Sequence, residues 1–281
     1  DAFIVWETLG SLSAQIGKVD KAIEAYKKCI SLKPDYANAY INIAVLYKAQ
    51  GKLDDSINAY YKFILLNPEN ADAYINIGNA LQGQFKFDQA ISSYNKAISL
   101  NPNSSQAFYN LGNAQLAQHK LENAIECYSK ALSINPNYVQ AHYNLGVALK
   151  DQGKFEEAIT AYNKAIFLNP NYANAHNNIG VLLQDLGKTN QAIDAYNKAI
   201  LIKPNYAEAH HNLSFTLLNS GRLKEGLDES EWRWKTEKYF YKNRHFSRPM
   251  WDGIQSLKDK RILLWCEQGI GDTINWSSFL P

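Results

Sequence analysis

Residues 139–170, VQAHYNLGVALKDQGKFEEAITAYNKAIFLNP, decide the fold, because near copies of this stretch recur along most of the chain. Its closing proline sets the period: Pro34, Pro68, Pro102, Pro136, Pro170 and Pro204 follow one another 34 residues apart. A fixed interval of that length marks stacked helix-turn-helix units, none of which can bury its apolar face alone. We number each unit from two residues before the recurring alanine (Ala39, Ala73, Ala107, Ala141, Ala175, Ala209). Apolar residues at positions 3, 7, 10 and 11 then form one helical stripe, and those at 17, 21, 24 and 28 a second, which predicts two amphipathic helices per unit.

Position 8 stays small (Gly10, Ala44, Gly78, Gly112, Gly146, Gly180, Ser214), as does position 20, and position 24 is tyrosine through six units, from Tyr26 to Tyr196. Small residues at 8 and 20 are expected where the two helices of a unit cross, since overpacking there costs roughly 1–3 kcal/mol. Gly17, Gly51, Gly153, Gly187 and Gly221 turn the chain between helices, and the Asn-Pro pairs (Lys-Pro at Pro34 and Pro204) end the second helices. Phe85 and His119 replace the turn glycine in the third and fourth units, which predicts turns of slightly different shape there.

These residue types at these offsets resemble the tetratricopeptide repeat family over about residues 3–221. The resemblance implies an all-α, right-handed superhelical solenoid of six full repeats plus a divergent seventh. The seventh unit departs where Gly226 stands for alanine and Ser230 for tyrosine. Leu223 to about Lys238 is read as a final helix, within a capping and connecting segment of residues 222–250. The chain opens inside a repeat, with Phe3 and Trp6 already in helical register, so further repeats upstream or a cut from a longer protein are expected.

Residues 251–281 change character. RILLWC (Arg261–Cys266), then EQGIGD and TINWSSFLP, reads as strand, glycine turn and helix start, the opening of a Rossmann-like unit. An array followed by EWRW, PMWDG and this segment resembles bacterial proteins in which such repeats precede a GT-B-type glycosyltransferase-like domain. On that resemblance Gly269 and Gly271 shape a turn near a sugar-nucleotide or acceptor site, and Asp272 is the polar or general-base candidate. The chain stops at Pro281, before a second strand or lobe, so a short C-terminal α/β fragment is expected and no sugar transfer by this chain alone. No catalytic residue and no cofactor is assigned.

Charge and cysteines exclude several classes. The formal net charge is +2. Residues 1–221 hold 18 lysines and 18 acids with no arginine before Arg222, which argues against a surface that reads phosphate or nucleic acid. Lys235 to Arg248 interleaves five basic residues with aromatics, a pattern that suits single-stranded nucleic acid or an amphipathic connector. Cys29, Cys127 and Cys266 are too few and scattered for a disulfide framework or a CxxC metal site. No signal peptide or membrane-crossing run is visible, and a cytoplasmic setting is the expectation.

The positions left over on the first helix, 2, 5, 6, 9, 12 and 13, share one face. Position 6 is Thr8 and then asparagine six times: Asn42, Asn76, Asn110, Asn144, Asn178 and Asn212. This ladder resembles the inner surface of the repeat array in O-linked N-acetylglucosamine transferases, where it implies contacts with the backbone of an extended acceptor peptide. An amide both donates and accepts, so it can pair with any peptide unit. Tyr109 and Tyr143 at position 5 add aromatic faces, and Asn79 and Asn113 at position 9 extend the polar surface. The same asparagines could instead satisfy neighbouring segments or echo the duplication of one unit. A clamp for a terminal carboxylate is not expected, because position 5 carries no lysine. His142, His176 and His210 take the aromatic position 4 and read as packed residues, since successive repeats are too far apart to share one metal ion. The reading is a protein-binding scaffold for an extended polypeptide, the acceptor-recruiting arm of a glycosyltransferase-like protein. The alternative is a module that self-assembles into homo-oligomers through its terminal repeats, an expectation motivated by Phe3, Ile4 and Val5 at an uncapped start.

Overall fold

The computed structural model describes residues 2–230 and Trp232. All regular structure among them is helical, in seven consecutive pairs. The pairs are α1 (Ala2–Gln15) with α2 (Val19–Leu32), α3 (Ala37–Ala49) with α4 (Leu53–Leu66), and α5 (Ala71–Gly83) with α6 (Phe87–Leu100). They continue with α7 (Ser105–Ala117) and α8 (Leu121–Ile134), α9 (Val139–Asp151) and α10 (Phe155–Leu168), and α11 (Ala173–Asp185) and α12 (Thr189–Ile202). The last pair is α13 (Ala207–Asn219) and α14 (Leu223–Ser230). The chain divides into two compact units, one of Asp1–Gly187 and the other starting at Lys188. Among the described residues no helix is long and apolar enough to cross a membrane. The glycine turn at Gly269, Gly271 and Asp272, the basic segment 235–248 and Cys266 lie outside the described residues.

Each first helix closes through the same left-handed turn. After α1 the Gly17 N–H donates to the Ala14 carbonyl at 3.1 Å and the Lys18 N–H to that of Ser13 at 2.8 Å, the two bonds that satisfy the last carbonyls of a helix when the next residue is left-handed. The expected difference at the third and fourth turns is absent. Phe85 and His119 adopt φ of 60° and 58°, and Lys86 and Lys120 donate to Leu81 and Gln115 at 2.9 and 3.0 Å. The closing bonds therefore hold the glycine geometry, and the side chains carry a left-handed backbone that costs roughly 1–2 kcal/mol.

The core confirms one stripe and shifts the other. From α3 onwards position 3 of the first helices is buried and position 7 is buried except at the half-buried Leu145, as in Ala73 with Ile77 and Ala107 with Leu111. In the second helices position 27 (Cys29, Phe63, Ala97, Ala131, Ala165, Ala199) is buried, while position 28 is half-buried. A residue at 27 lies three beyond the tyrosine at 24 and continues its face, whereas 28 sits at the edge.

The tyrosines also explain the small residue at position 8. A Cβ on Gly78 would lie 2.4 Å from Cε1 of Tyr94, and one on Gly112 or Gly146 would lie 2.7 or 2.6 Å from the ring of Tyr128 or Tyr162. The ring at position 24 thus occupies the space, a different cause from the helix crossing alone. Where serine enters the crossing it makes a bond across it: Ser56 Oγ donates to the Ala44 carbonyl at 2.8 Å, and Ser214 Oγ to that of Gly226 at 2.7 Å. Gly226 is needed in the divergent seventh pair, since a Cβ there would lie 2.7 Å from Leu218 Cγ.

Candidate functional site

Residues 1–187 place the asparagines of position 6 on successive first helices, and the structure pairs most of their amides with the preceding repeat. Asn110 Nδ2 donates to Asn79 Oδ1 at 2.8 Å, and Asn144 Nδ2 donates to Asn113 Oδ1 at 2.8 Å and to the Tyr109 hydroxyl at 3.2 Å. Asn178 Nδ2 donates to the hydroxyls of Tyr143 and Tyr162 at 3.2 and 3.3 Å. Position 9 is held in turn by the buried tyrosines: Tyr94 and Tyr128 donate to Asn79 Oδ1 and Asn113 Oδ1, each at 2.8 Å. Asn110 is the most enclosed of the six, at 7% exposure, and its Oδ1 accepts from Gln106 Nε2 at 3.0 Å. These bonds turn the ladder into a network that joins neighbouring repeats.

The network leaves specific groups unpaired. Asn76 is half-buried and makes no side-chain hydrogen bond among the described residues, because Val45 stands where the later repeats carry Asn79 and Asn113. The Oδ1 atoms of Asn144 and Asn178 receive no donor among the described residues, and the Tyr109 hydroxyl hydrogen has no acceptor. Asn42 bonds the Tyr26 hydroxyl. Asn212 belongs to the second unit, which carries its own hydrogen-bonded contacts.

Two residues that the sequence reading passed over complete the face. Tyr138 and Tyr172, at position 34, lie against Tyr109 and Tyr143 with ring centroids 4.8 and 4.9 Å apart and tilts of 38° and 44°. The Tyr138 hydroxyl donates to Gln106 Oε1 at 3.0 Å. Burial pushes the hydroxyls of Tyr138 and Tyr172 up to about 12. The signal was present in the recurrence of tyrosine at that position, in Tyr36, Tyr138, Tyr172 and Tyr206.

A second set of bonds between repeats runs elsewhere on the stack. Gln50, Gln84, Gln118 and Gln152 donate through Nε2 to Asp20, Asp54, Asp88 and Glu122 of the preceding repeat, at 2.8, 2.9, 2.9 and 2.9 Å. The position 4 residues tie the proline loops. The hydroxyl of Tyr40 donates to the Pro34 carbonyl at 3.0 Å, and Nε2 of His142 and His210 reach the carbonyls of Pro136 and Pro204 at 2.9 Å. In the second unit His210 Nδ1 also bonds Glu229, and its ring stacks on Trp232 with centroids 3.9 Å apart. Among the described residues no three His, Cys, Asp or Glu side chains stand together to hold a metal ion.

Comparison with known proteins agrees with this architecture. A TPR repeat family model matches residues 10–51, 46–84, 112–153 and 146–187, and two tetratricopeptide repeat models match 71–104 with 173–206 and 93–126 with 195–228. Among solved structures, MamA is 30% identical, covering 59% of this chain and 97% of its own with a TM-score of 0.56. YrrB, described as a TPR protein with an unusual peptide-binding site, is 27% identical over 68% of this chain and 98% of its own, with a TM-score of 0.57. PilF of Pseudomonas aeruginosa shares the fold at 21% identity and a TM-score of 0.63, over 75% of this chain and 96% of its own. No curated protein matches. Seven helix pairs in a 34-residue period, with family models matched from residue 10 to residue 228, place this chain in the tetratricopeptide repeat family.

Proposed function

We propose that this chain is a protein-binding scaffold that holds an extended polypeptide along the shared face of its first helices, with no catalytic chemistry of its own. The observation that carries the reading is the row of unpaired groups on that face: the Asn76 amide, the Tyr109 O–H, and the Oδ1 atoms of Asn144 and Asn178. An amide that both donates and accepts, an O–H donor and two amide oxygens can each pair with the C=O and N–H groups of a peptide backbone, and the similar YrrB is described as having a peptide-binding site. Each bond contributes a net of roughly 0.5–1.5 kcal/mol, so three together strengthen binding by about tenfold to a thousandfold. The affinity is therefore weak and tolerant of sequence. The role as the acceptor-recruiting arm of a glycosyltransferase-like protein rests on sequence resemblance alone, that of residues 231–281 and that of the asparagine ladder.

The test uses labelled unstructured peptides of mixed sequence and fluorescence anisotropy. Asn76→Ala removes an amide that holds nothing in the protein, so it is expected to weaken binding and leave stability unchanged. Asn144→Ala is expected to lower both, because its amide also bonds Asn113 and Tyr109. Unchanged binding by the Asn76→Ala protein refutes a backbone-reading face.

A second reading has its own observation. Val5, Leu9 and Leu12 occupy positions 3, 7 and 10 on α1, Ile16 follows in the turn at position 14, and all four are between 42% and 65% exposed. The corresponding Ala39, Ile43 and Leu46 of α3 are buried beneath α2. That open stripe fits a second helix donated by another copy of the chain. A concentration-dependent mass in light scattering that Leu12→Asp abolishes supports it, and a monomeric mass at high concentration refutes it.

A further inference from the structure

We propose that the two tyrosine couples of the central repeats select a proline-rich segment in the polyproline II conformation, an inference that rests on the peptide-binding reading above. The same arrangement occurs twice, one repeat apart: Tyr109 on α7 against Tyr138, and Tyr143 on α9 against Tyr172. Among the described residues no other repeat sets a tyrosine at position 5 against one at position 34, since position 5 is Glu7, Ile41, Ile75, Asn177 and His211 elsewhere.

Spacing decides which peptide conformation fits. The helices α7 and α9 touch one another directly, and packed helices lie about 8–10 Å apart. A polyproline II chain rises about 3.1 Å per residue with three residues per turn, so side chains return to one face every ~9.3 Å. A β-strand returns every second residue, after about 6.8 Å, and falls out of step with the repeats. Only the first conformation presents one side chain to each couple.

The chemistry agrees. Flat tyrosine rings suit proline rings, and aromatic-lined grooves recognise such segments because the peptide is already ordered before it binds. A polyproline II backbone keeps its carbonyls free of internal hydrogen bonds. The Tyr109 hydroxyl accepts from Asn144 and keeps its own hydrogen for such a carbonyl. The intervening residues of the peptide bring N–H groups to the Oδ1 atoms of Asn144 and Asn178. Formal charge on this stretch is balanced, with Lys150 Nζ 3.4 Å from Asp151, so an uncharged segment is favoured over an acidic one.

The test titrates the full chain with two labelled peptides of about 15 residues, one with proline at every third position and one with those prolines replaced by alanine. Binding of the proline peptide at least about tenfold tighter, lost in the Tyr109→Ala/Tyr143→Ala protein and largely kept in the Tyr109→Phe/Tyr143→Phe protein, is the expected result. The phenylalanine variant keeps the rings, and circular dichroism of both proteins separates lost binding from lost folding. Equal binding of the two peptides overturns the proline preference and leaves the peptide-binding reading standing. Binding of neither overturns both.

Discussion

The buried tyrosine at position 24 allows an internal control that few proteins offer. Tyr60 and Tyr128 are both fully enclosed. Tyr128 donates to Asn113 Oδ1 at 2.8 Å, while the Tyr60 hydroxyl has no partner among the described residues, because Val45 replaces that asparagine. A buried hydroxyl left unpaired costs about 1–3 kcal/mol, and a satisfied hydrogen bond contributes a net of about 0.5–1.5 kcal/mol. Tyr60→Phe should therefore stabilise the protein by about 1 kcal/mol, and Tyr128→Phe should destabilise it by about 1 kcal/mol. The second value stays modest because Asn113 Oδ1 still receives Asn144 Nδ2. Tyr94 is a poorer control, since Gln82 Oε1 also lies 3.1 Å from its hydroxyl. Repeat arrays need not unfold in one step. Native-state hydrogen exchange in α4 and α8 is therefore the assay, with a shift of about fivefold in the opening equilibrium of each, in opposite directions. If Tyr60→Phe loosens α4 as much as Tyr128→Phe loosens α8, the argument from unpaired hydroxyls is wrong.

Phe85 is 81% exposed and buries almost nothing, yet holds a left-handed backbone. Phe85→Gly and His119→Gly should each stabilise by about 1 kcal/mol, read as a rise in the denaturation midpoint, and a fall at both sites would refute the strain. Burial pushes the hydroxyls of Tyr60, Tyr138 and Tyr172 from 10.0 up to about 12. The folded chain thus keeps protons that the unfolded chain releases, so this stability is fully present below pH 10 and is lost as the pH rises towards about 12. Helix content followed by circular dichroism should collapse in that window, and persistence beyond it would count against the linkage.

The period, the helix boundaries and the buried tyrosines were all legible in the sequence, because 34-residue recurrence and amphipathic spacing are properties of the chain itself. The pairing of the asparagines was harder to see. That Asn144 meets Asn113 and Tyr109 depends on which positions of adjacent repeats face one another, and repetition alone does not state this. The glutamine-to-acid bonds could have been found, since Gln50, Gln84, Gln118 and Gln152 recur as regularly as the prolines, each 30 residues after an acid. Small size at position 8 was visible too, but its cause was not, because the Tyr94 ring reaches Gly78 only once both helices are packed. Phe85 and His119 misled in the other direction. Residue type predicted a changed turn, and two backbone hydrogen bonds overrode it.

The longer-range bonds between repeats span 29 to 35 residues in sequence, from Tyr36 with Glu7 to Asn178 with Tyr143. Closing a loop of that length costs about 3 kcal/mol wherever along the chain it happens. Topology therefore sets no starting point for folding. The order in which helices dock is left to local sequence, and the helices from α5 to α9, which carry both the asparagine and the glutamine bonds, are where a nucleus gains most for that fixed entropic cost. From there the structure grows outward by one repeat at a time, so a lesion at one end leaves assembly at the other untouched.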